Sequence, residues 1–237
     1  MLIETGSIPS IHHITGKEVA MFITFEGIEG SGKTTQVQRV ADYLKDYGHH
    51  SVVTREPGGT KIGVKIREIL LDRNHSTLDA TAELMLYMAD RAQHVKEVIE
   101  PALAEGKSVL CDRFLDATVA YQGYGRGLDI LLIHAFHSIA LGGILPDLTF
   151  LFDLPAEKGL ARAWARIIKD SGVCDESRFE EEALSFHEKV RKGYLEMAKA
   201  QPARIRIIDA TSTEDEVFRQ VIGMLPESFL NEKEKRP

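Results

Sequence analysis

Gly27, Gly32, Lys33 and Thr34 stand at the spacing G-x-x-x-x-G-K-[ST] inside Phe22–Thr35, which reads FITFEGIEGSGKTT. An apolar run precedes the glycines and a helical pattern follows them, so the stretch reads as strand, tight turn and helix. Backbone N–H groups can close around an anion only where side chains leave room, and the glycines leave it. The helix start aims the positive end of its dipole at the same anion. On this reading Gly27, Ile28, Glu29, Gly30, Ser31, Gly32, Lys33, Thr34 and Thr35 cradle the phosphates of a nucleoside triphosphate. Lys33 reaches the β- and γ-phosphates and the Thr34 hydroxyl holds Mg²⁺. A glycine-rich turn with no ligand is the bland alternative, and the strand-before, helix-after context weighs against it.

Further charged residues follow strand-like segments. Ser108–Cys111 is a short apolar run, and Asp112 and Arg113 stand at its carboxyl end, where open α/β sheets bind ligands. Asp112 either holds Mg²⁺ through water or orients Arg113. Arg55, Arg91 and Arg126 fall in loops or helical segments after the second and third strands, and planar guanidiniums bind phosphate oxygens in pairs. For Arg126 an ordinary surface charge or ion pair is the simpler reading. Tyr87 and Arg91 are four apart and share a helix face. They suit either a ring that stacks on a base beside a carbonyl donor, or a core tyrosine with a snorkelling arginine. Arg162 and Arg166, also four apart, open the polar stretch 169–177. They suit either a lid that closes over ATP and delivers positive charge, or a solvated helix face.

The elements that must position these residues alternate. Strands are expected at the apolar start of Phe22–Thr35 and at Ser51–Thr54, Ser108–Cys111, Leu148–Phe152 and Ile205–Ile208. Helices are expected over Lys33–Tyr47, Ile62–Leu71, Asp79–Ala104 with a bend near Pro101, Leu128–Leu141, Ala156–Ile168, Phe179–Ala200 and Glu214–Leu225. Ala120–Gly127 is polar and punctuated by glycine, and is assigned no helix or strand. Alternation of this kind predicts an α/β fold: a five-stranded, mostly parallel sheet with helices on both faces and a lid segment at about 162–180. No linker or repeat divides residues 21–229, which read as one domain. Residues 1–20 read as a loose extension, Met21 is a candidate start of translation, and residues 230–237 form a charged tail. His12-His13 lacks supporting carboxylates and is expected to be solvated.

Among the 237 residues, 43% are hydrophobic and 27% charged, ordinary values for a globular protein. The net charge of −7 offers no global basic field for a nucleic-acid polymer, whereas a small anion needs only local cations. Cys111 and Cys174 have no metal-binding spacing, and Cys111 is expected to be buried in the core. No run approaches a membrane span and no leader pattern opens the chain, so a cytoplasmic protein is expected.

Three classes of P-loop protein compete. A GTPase switch calls for an N-K-x-D element, and neither Asn74 nor Asn231 begins one. A binding module or P-loop machine calls for further domains or a partner surface. A small kinase calls for a second pocket with its own phosphate clamp and base reader, and this chain has candidates for each.

Phe25–Thr35, Thr54–Thr60 (TREPGGT), Tyr87–His94 (YMADRAQH), Asp112-Arg113 and Ala120–Gly123 (AYQG) together resemble the bacterial thymidylate kinase family, in the same order and over Met21 to about Leu225. The resemblance implies a P-loop fold and transfer of the ATP γ-phosphoryl group to dTMP with Mg²⁺, in dTTP synthesis, by a homodimer. It implies that Tyr87 stacks on thymine and Arg91 bonds its O4. Thr118 and Gln122 lie along the base, and Tyr121 lies beside the deoxyribose. Arg113, with Arg55, holds the monophosphate, and Asp112 supports Mg²⁺ or that clamp. With Glu29 and no arginine in the phosphate loop, the catalytic arginine is expected in the lid, as Arg162, Arg166 or Arg178. Trp164 interrupts the lid's basic run, the loop before Ser177 is longer than usual, and Ala117 stands where serine is common. A kinase for another nucleoside monophosphate and a nucleotide-dependent regulatory protein are the alternatives.

Overall fold

The computed structural model describes residues 20–170 and 177–227. The extension up to residue 19 with His12-His13, the middle of the lid with Cys174, and the tail from residue 228 lie outside the described residues. Five strands form one sheet: β1 (Phe22–Glu26), β2 (Ser51–Arg55), β3 (Ser108–Asp112), β4 (Leu148–Asp153) and β5 (Ile205–Asp209). Their order is β2-β3-β1-β4-β5, and all four pairings are parallel. Each carboxyl end therefore faces the same side, where a crevice can open between strands whose connections leave in opposite directions.

Burial explains the strand sequences. The central β1 is buried along its whole length, as a strand covered on both faces must be. Phe25 packs against Phe150 and Phe152 on one face, while Phe22 meets Phe114 edge-on in a second core with Val95, Val109 and Cys111. At the edges the pattern loosens: Val53 of β2 and Ile207 of β5 are exposed. Cys111 is fully buried, and burial pushes its thiol well up, as expected of a core residue.

Helices α1 (Lys33–Asp46), α2 (Lys61–Leu71), α3 (Ala80–His94), α4 (Glu100–Ala104), α5 (Leu115–Thr118), α6 (Ile130–Ala140), α7 (Ala156–Asp170), α8 (Leu184–Ala200) and α9 (Glu214–Gly223) cover the sheet. Three differ from the sequence expectation. The long helix over 79–104 is α3, capped by Asp79 accepting from Thr81 N and Ala82 N, then wider π-type turns over Val95–Ile99, then α4. Pro101 follows these wider turns directly, so the regular helix is interrupted next to the proline, near the expected bend. The helix expected from Phe179 begins only at Leu184. Finally, Val119–Gly125, most of which lies outside the expected elements, continues α5 in π-type turns. Its glycines admit close neighbours, since a Cβ on Gly125 would meet the Phe186 ring at 2.6 Å.

Candidate active site

The phosphate loop owes its shape to two different uses of glycine. Gly32 caps α1 at φ +88°, where a side chain would be strained although open space surrounds it. Gly30, at φ +69°, lies so near α7 that a Cβ would stand 2.2 Å from Gly159 O. Lys33 is buried, and its Nζ donates to Ile28 O at 2.8 Å and Ser31 Oγ at 3.2 Å. Burial, with Arg113 nearby, pushes its ammonium down to about 8 against Asp112, Glu29 and Glu26. Thr34 and Thr35 are exposed at the start of α1. Thr34 Oγ1 donates to Asp112 Oδ2 at 2.5 Å, so the first turn of α1 and the end of β3 meet at a pair of hard oxygens. Among the described residues no three His, Cys, Asp or Glu side chains form a metal centre.

Beyond this loop lies a cavity of about 310 Å³. The phosphate-loop residues Glu29, Gly30, Lys33 and Thr34 line one side together with Asp112 and Arg113, and Arg55, Tyr87, Arg91, Thr118, Tyr121 and Gln122 line the rest. Arg166 and Glu180 line it as well, so residues up to 151 positions apart in sequence share one chamber. A more open groove of about 500 Å³ runs between α7 and α8, and no strand contributes to its lining.

Arg113 lines this chamber beside the phosphate loop. Its backbone sits at φ +68°, a region that non-glycine residues rarely adopt, and its N–H donates to Phe25 O at 3.0 Å. Strain of this kind persists only where surroundings over-determine it. The guanidinium donates to Glu29 Oε1 at 2.9 Å, Tyr121 OH at 3.0 Å and Tyr194 OH at 3.3 Å. Tyr121 OH also donates to Glu29 Oε1 at 2.5 Å. Burial alone would raise the Glu29 carboxyl; Arg113, His187 and Tyr121 outweigh it and hold it well below the usual carboxylate range. The phosphate loop's own carboxylate thus pairs with the arginine. Behind it, burial, reinforced by Asp116, pushes Glu26 up to about 8, although Arg113, Tyr194 and the Phe114 N–H favour its charged form.

Arg91 is only 1% exposed. Its Nε donates to Glu56 Oε2 at 2.8 Å, Nη1 to Thr118 Oγ1 at 3.0 Å and His137 Nε2 at 2.9 Å, and Nη2 to Phe114 O at 2.9 Å. A snorkelling arginine is therefore excluded: the head is the buried part. Since a guanidinium only donates, His137 Nε2 is the acceptor in that contact, and burial beside Arg91 pushes its imidazole well down. Glu56 Oε1 meets His94 Nδ1 at 2.9 Å, and His94 Nε2 meets Thr54 Oγ1 at 2.7 Å, tying β2, the REPGGT turn and α3 together. Arg91 is thus clamped in a fixed pose at the cavity wall.

The three lid arginines part company. Arg162 Nη1 donates to Ala210 O at 3.0 Å, at the end of β5. Arg178 is buried, with Nε donating to Leu70 O at 2.5 Å and Nη2 paired with Glu83 at 2.7 Å. Arg166, 59% exposed, lines the cavity and approaches Glu180 at 3.9 Å. Trp164 is exposed and adds nothing to the lining, whereas Ala117 contributes to it. Arg126 pairs with Glu83 at 3.3 Å and with Glu182 at 2.5 Å, as its simpler reading expects.

Sequence reasoning missed the second layer: Glu26, Glu56, Glu83, His94, His137, His187 and Tyr194. Apart from Glu56, which lies in the REPGGT turn, their one sequence signal is polarity within strand or helix segments, which does not say what they face.

Comparisons with known proteins bear on this geometry. The family pattern for thymidylate kinase matches residues 25–221. A thymidylate kinase of Desulfosudis oleivorans is 55% identical over 205 residues, 86% of this chain and 96% of that one. A thymidylate kinase of Oleidesulfovibrio alaskensis is 53% identical over 209 residues, 88% of this chain and 99% of that one. A crystal structure of thymidylate kinase from Ehrlichia chaffeensis superposes with a TM-score of 0.69 at 36% identity, covering 87% of this chain and 99% of that one. With its phosphate loop facing a second polar chamber and relatives more than half identical along nearly their whole length, this chain belongs to the thymidylate kinase family.

Proposed function

We propose that this chain transfers the γ-phosphoryl group of ATP to the phosphate of dTMP, giving ADP and dTDP, in the supply of dTTP for DNA synthesis. The observation that carries the reading is that the phosphate loop and a separate polar chamber share Lys33, Asp112 and Arg113 as their common wall. Two anions that repel each other can be brought together only where such cations stand between them.

Each residue then has a task. Gly27–Thr35 wrap the ATP phosphates, with Lys33 leaving Ile28 O and Ser31 Oγ for phosphate oxygens. Thr34 and Asp112, oxygen ligands already in contact, fit Mg²⁺, which neutralises phosphate charge when bound with the nucleotide. Arg113 exchanges Glu29 for the acceptor phosphate, with Arg55 beside it. Tyr87 stacks on the base, Arg91 donates to it in its clamped pose, and Thr118 and Gln122 lie along its edge. Tyr121 stands beside the sugar. Arg166 carries the catalytic charge, because Arg162 and Arg178 have partners elsewhere.

An acceptor panel tests this. ADP formation from ATP should require dTMP and be far weaker with dCMP, dAMP or ribose TMP; a preference for dAMP or dCMP would show the base assignment to be wrong. ATP binding with no transfer to any monophosphate would favour a regulatory protein.

We also propose a homodimer in the cytoplasm. Support comes from the α6 face, where Leu131 is 77% and Ile139 80% exposed, with Met85 of α3 exposed as well. No helix among the described residues is long and apolar enough to cross a membrane. Leu131→Glu with Ile139→Glu should turn a dimer into a monomer in light scattering, and a monomeric native protein would sink the proposal.

A further inference from the structure

Glu83 lies on α3 one turn before Tyr87, fully buried. Its carboxylate gathers three partners from distant parts of the chain. Oε1 accepts Gln122 Nε2 at 2.7 Å and Arg126 Nε at 3.3 Å. Oε2 accepts Arg126 Nη2 at 3.3 Å and pairs with Arg178 Nη2 at 2.7 Å. Two guanidiniums thus hold one carboxylate in a dry place, and that carboxylate holds Gln122.

Gln122 is 1% exposed, yet it lines the acceptor chamber. An amide can usually present either end, and its orientation must be inferred from its partners. Here a carboxylate flanked by two guanidiniums accepts and cannot donate, so it takes the NH₂ end. The amide oxygen is left as the atom that Gln122 can offer to the chamber.

We propose that Glu83 is a positioning residue for acceptor specificity: by holding the Gln122 nitrogen it turns the amide oxygen toward the base, selecting a pyrimidine with a ring N–H over one with a ring lone pair. This rests on the dTMP reading above. Thymine and uracil carry a donor at that ring position and cytosine an acceptor. Two lone pairs facing each other in a desolvated site leave both unsatisfied, which is costly. Arg91 reads the neighbouring exocyclic group from the opposite network; it touches Glu56, Thr118, His137 and Phe114, none of which contacts Glu83 through a hydrogen bond described above.

The test is the ratio of kcat/KM for dTMP to that for dCMP. Glu83→Gln keeps the shape but can donate or accept, so Gln122 is free to turn over. The ratio should fall at least about tenfold, the effect of one mismatched buried hydrogen bond. Glu83→Asp keeps the charge for Arg126 and Arg178, and so the fold, but draws the carboxylate back from Gln122; a smaller fall is expected. Glu83→Gln combined with Gln122→Glu restores an acceptor facing the base and should recover the ratio, which a purely structural role would not do. Thermal melts identify variants that are merely unfolded, in which case Glu83→Asp decides. A wild-type preference for dTMP that both single variants retain overturns the role of Glu83 alone. A wild-type preference for dCMP overturns the acceptor reading and this inference together.

Discussion

Lys33→Ala is expected to lower kcat by at least about a thousandfold, the scale seen when a positioned charge on a transferring phosphoryl group is lost. The folded chain should tolerate the change, because the ammonium bonds to its own loop, at Ile28 O and Ser31 Oγ, and bridges no two elements. Its energetic state favours the arrival of an anion. Burial pushes the ammonium down to about 8, and a phosphate beside it restores the preference for the charged form. ATP affinity is therefore expected to hold below about pH 8, where Lys33 is protonated, and to fall above it as the proton is lost. In Lys33→Ala that pH dependence should disappear along with turnover. Isothermal titration with ATP across pH 6.5–9.5 and a coupled ADP assay read the two effects. Near-normal turnover in the variant would remove Lys33 from the phosphate site.

Arg166→Ala is expected to lower kcat by about a hundredfold to a thousandfold while changing dTMP binding less than about threefold. The split matters because a charge delivered on lid closure acts on the transferring phosphoryl group more than on the bound acceptor. Arg166 is free to move: it is largely exposed, lines the chamber, and its contact with Glu180 is 3.9 Å long. Its two competitors should fail differently. Arg162→Ala removes a bond to Ala210 O at the end of β5, so it should raise KM for ATP. Arg178→Ala removes a buried guanidinium tied to Leu70 O and Glu83, so its first effect should be a lower Tm. Single-turnover rates and equilibrium dTMP titrations on the three variants separate these outcomes. An unchanged kcat in Arg166→Ala moves the catalytic charge to another arginine.

The phosphate loop and the parallel α/β sheet were legible in the sequence for a shared reason: their determinants are local. Gly30 and Gly32 need positive φ, β1 needs an apolar run, and α1 needs its 3.6-residue period, all within 25 consecutive residues. Where neighbours from elsewhere decide, local reading failed. Val119–Gly125 shows no local helix pattern, yet it coils with Gly123 against α6 and Gly125 against α8.

The candidate site divides the same way. Lys33, Thr34, Asp112 and Arg113 could be picked by type and by position at a strand's carboxyl end. Their present partners could not, since Thr34 and Asp112 are 78 residues apart and Tyr121 and Glu29 are 92 apart. Nor does spacing tell Arg162, Arg166 and Arg178 apart. Arg178 is taken by Leu70, 108 residues away, and Arg162 by Ala210, 48 away. The sequence by itself determined that a triphosphate cradle stands at the head of a parallel sheet, because glycine freedom and a strand–helix pattern are properties of neighbouring residues. Only the tertiary structure decided that Glu29 pairs with Arg113, that Arg91 is clamped, and that Arg162 and Arg178 bond elsewhere in the chain while Arg166 lines the chamber. Competition for hydrogen-bond partners is settled in space, between residues whose separation along the chain carries no information about it.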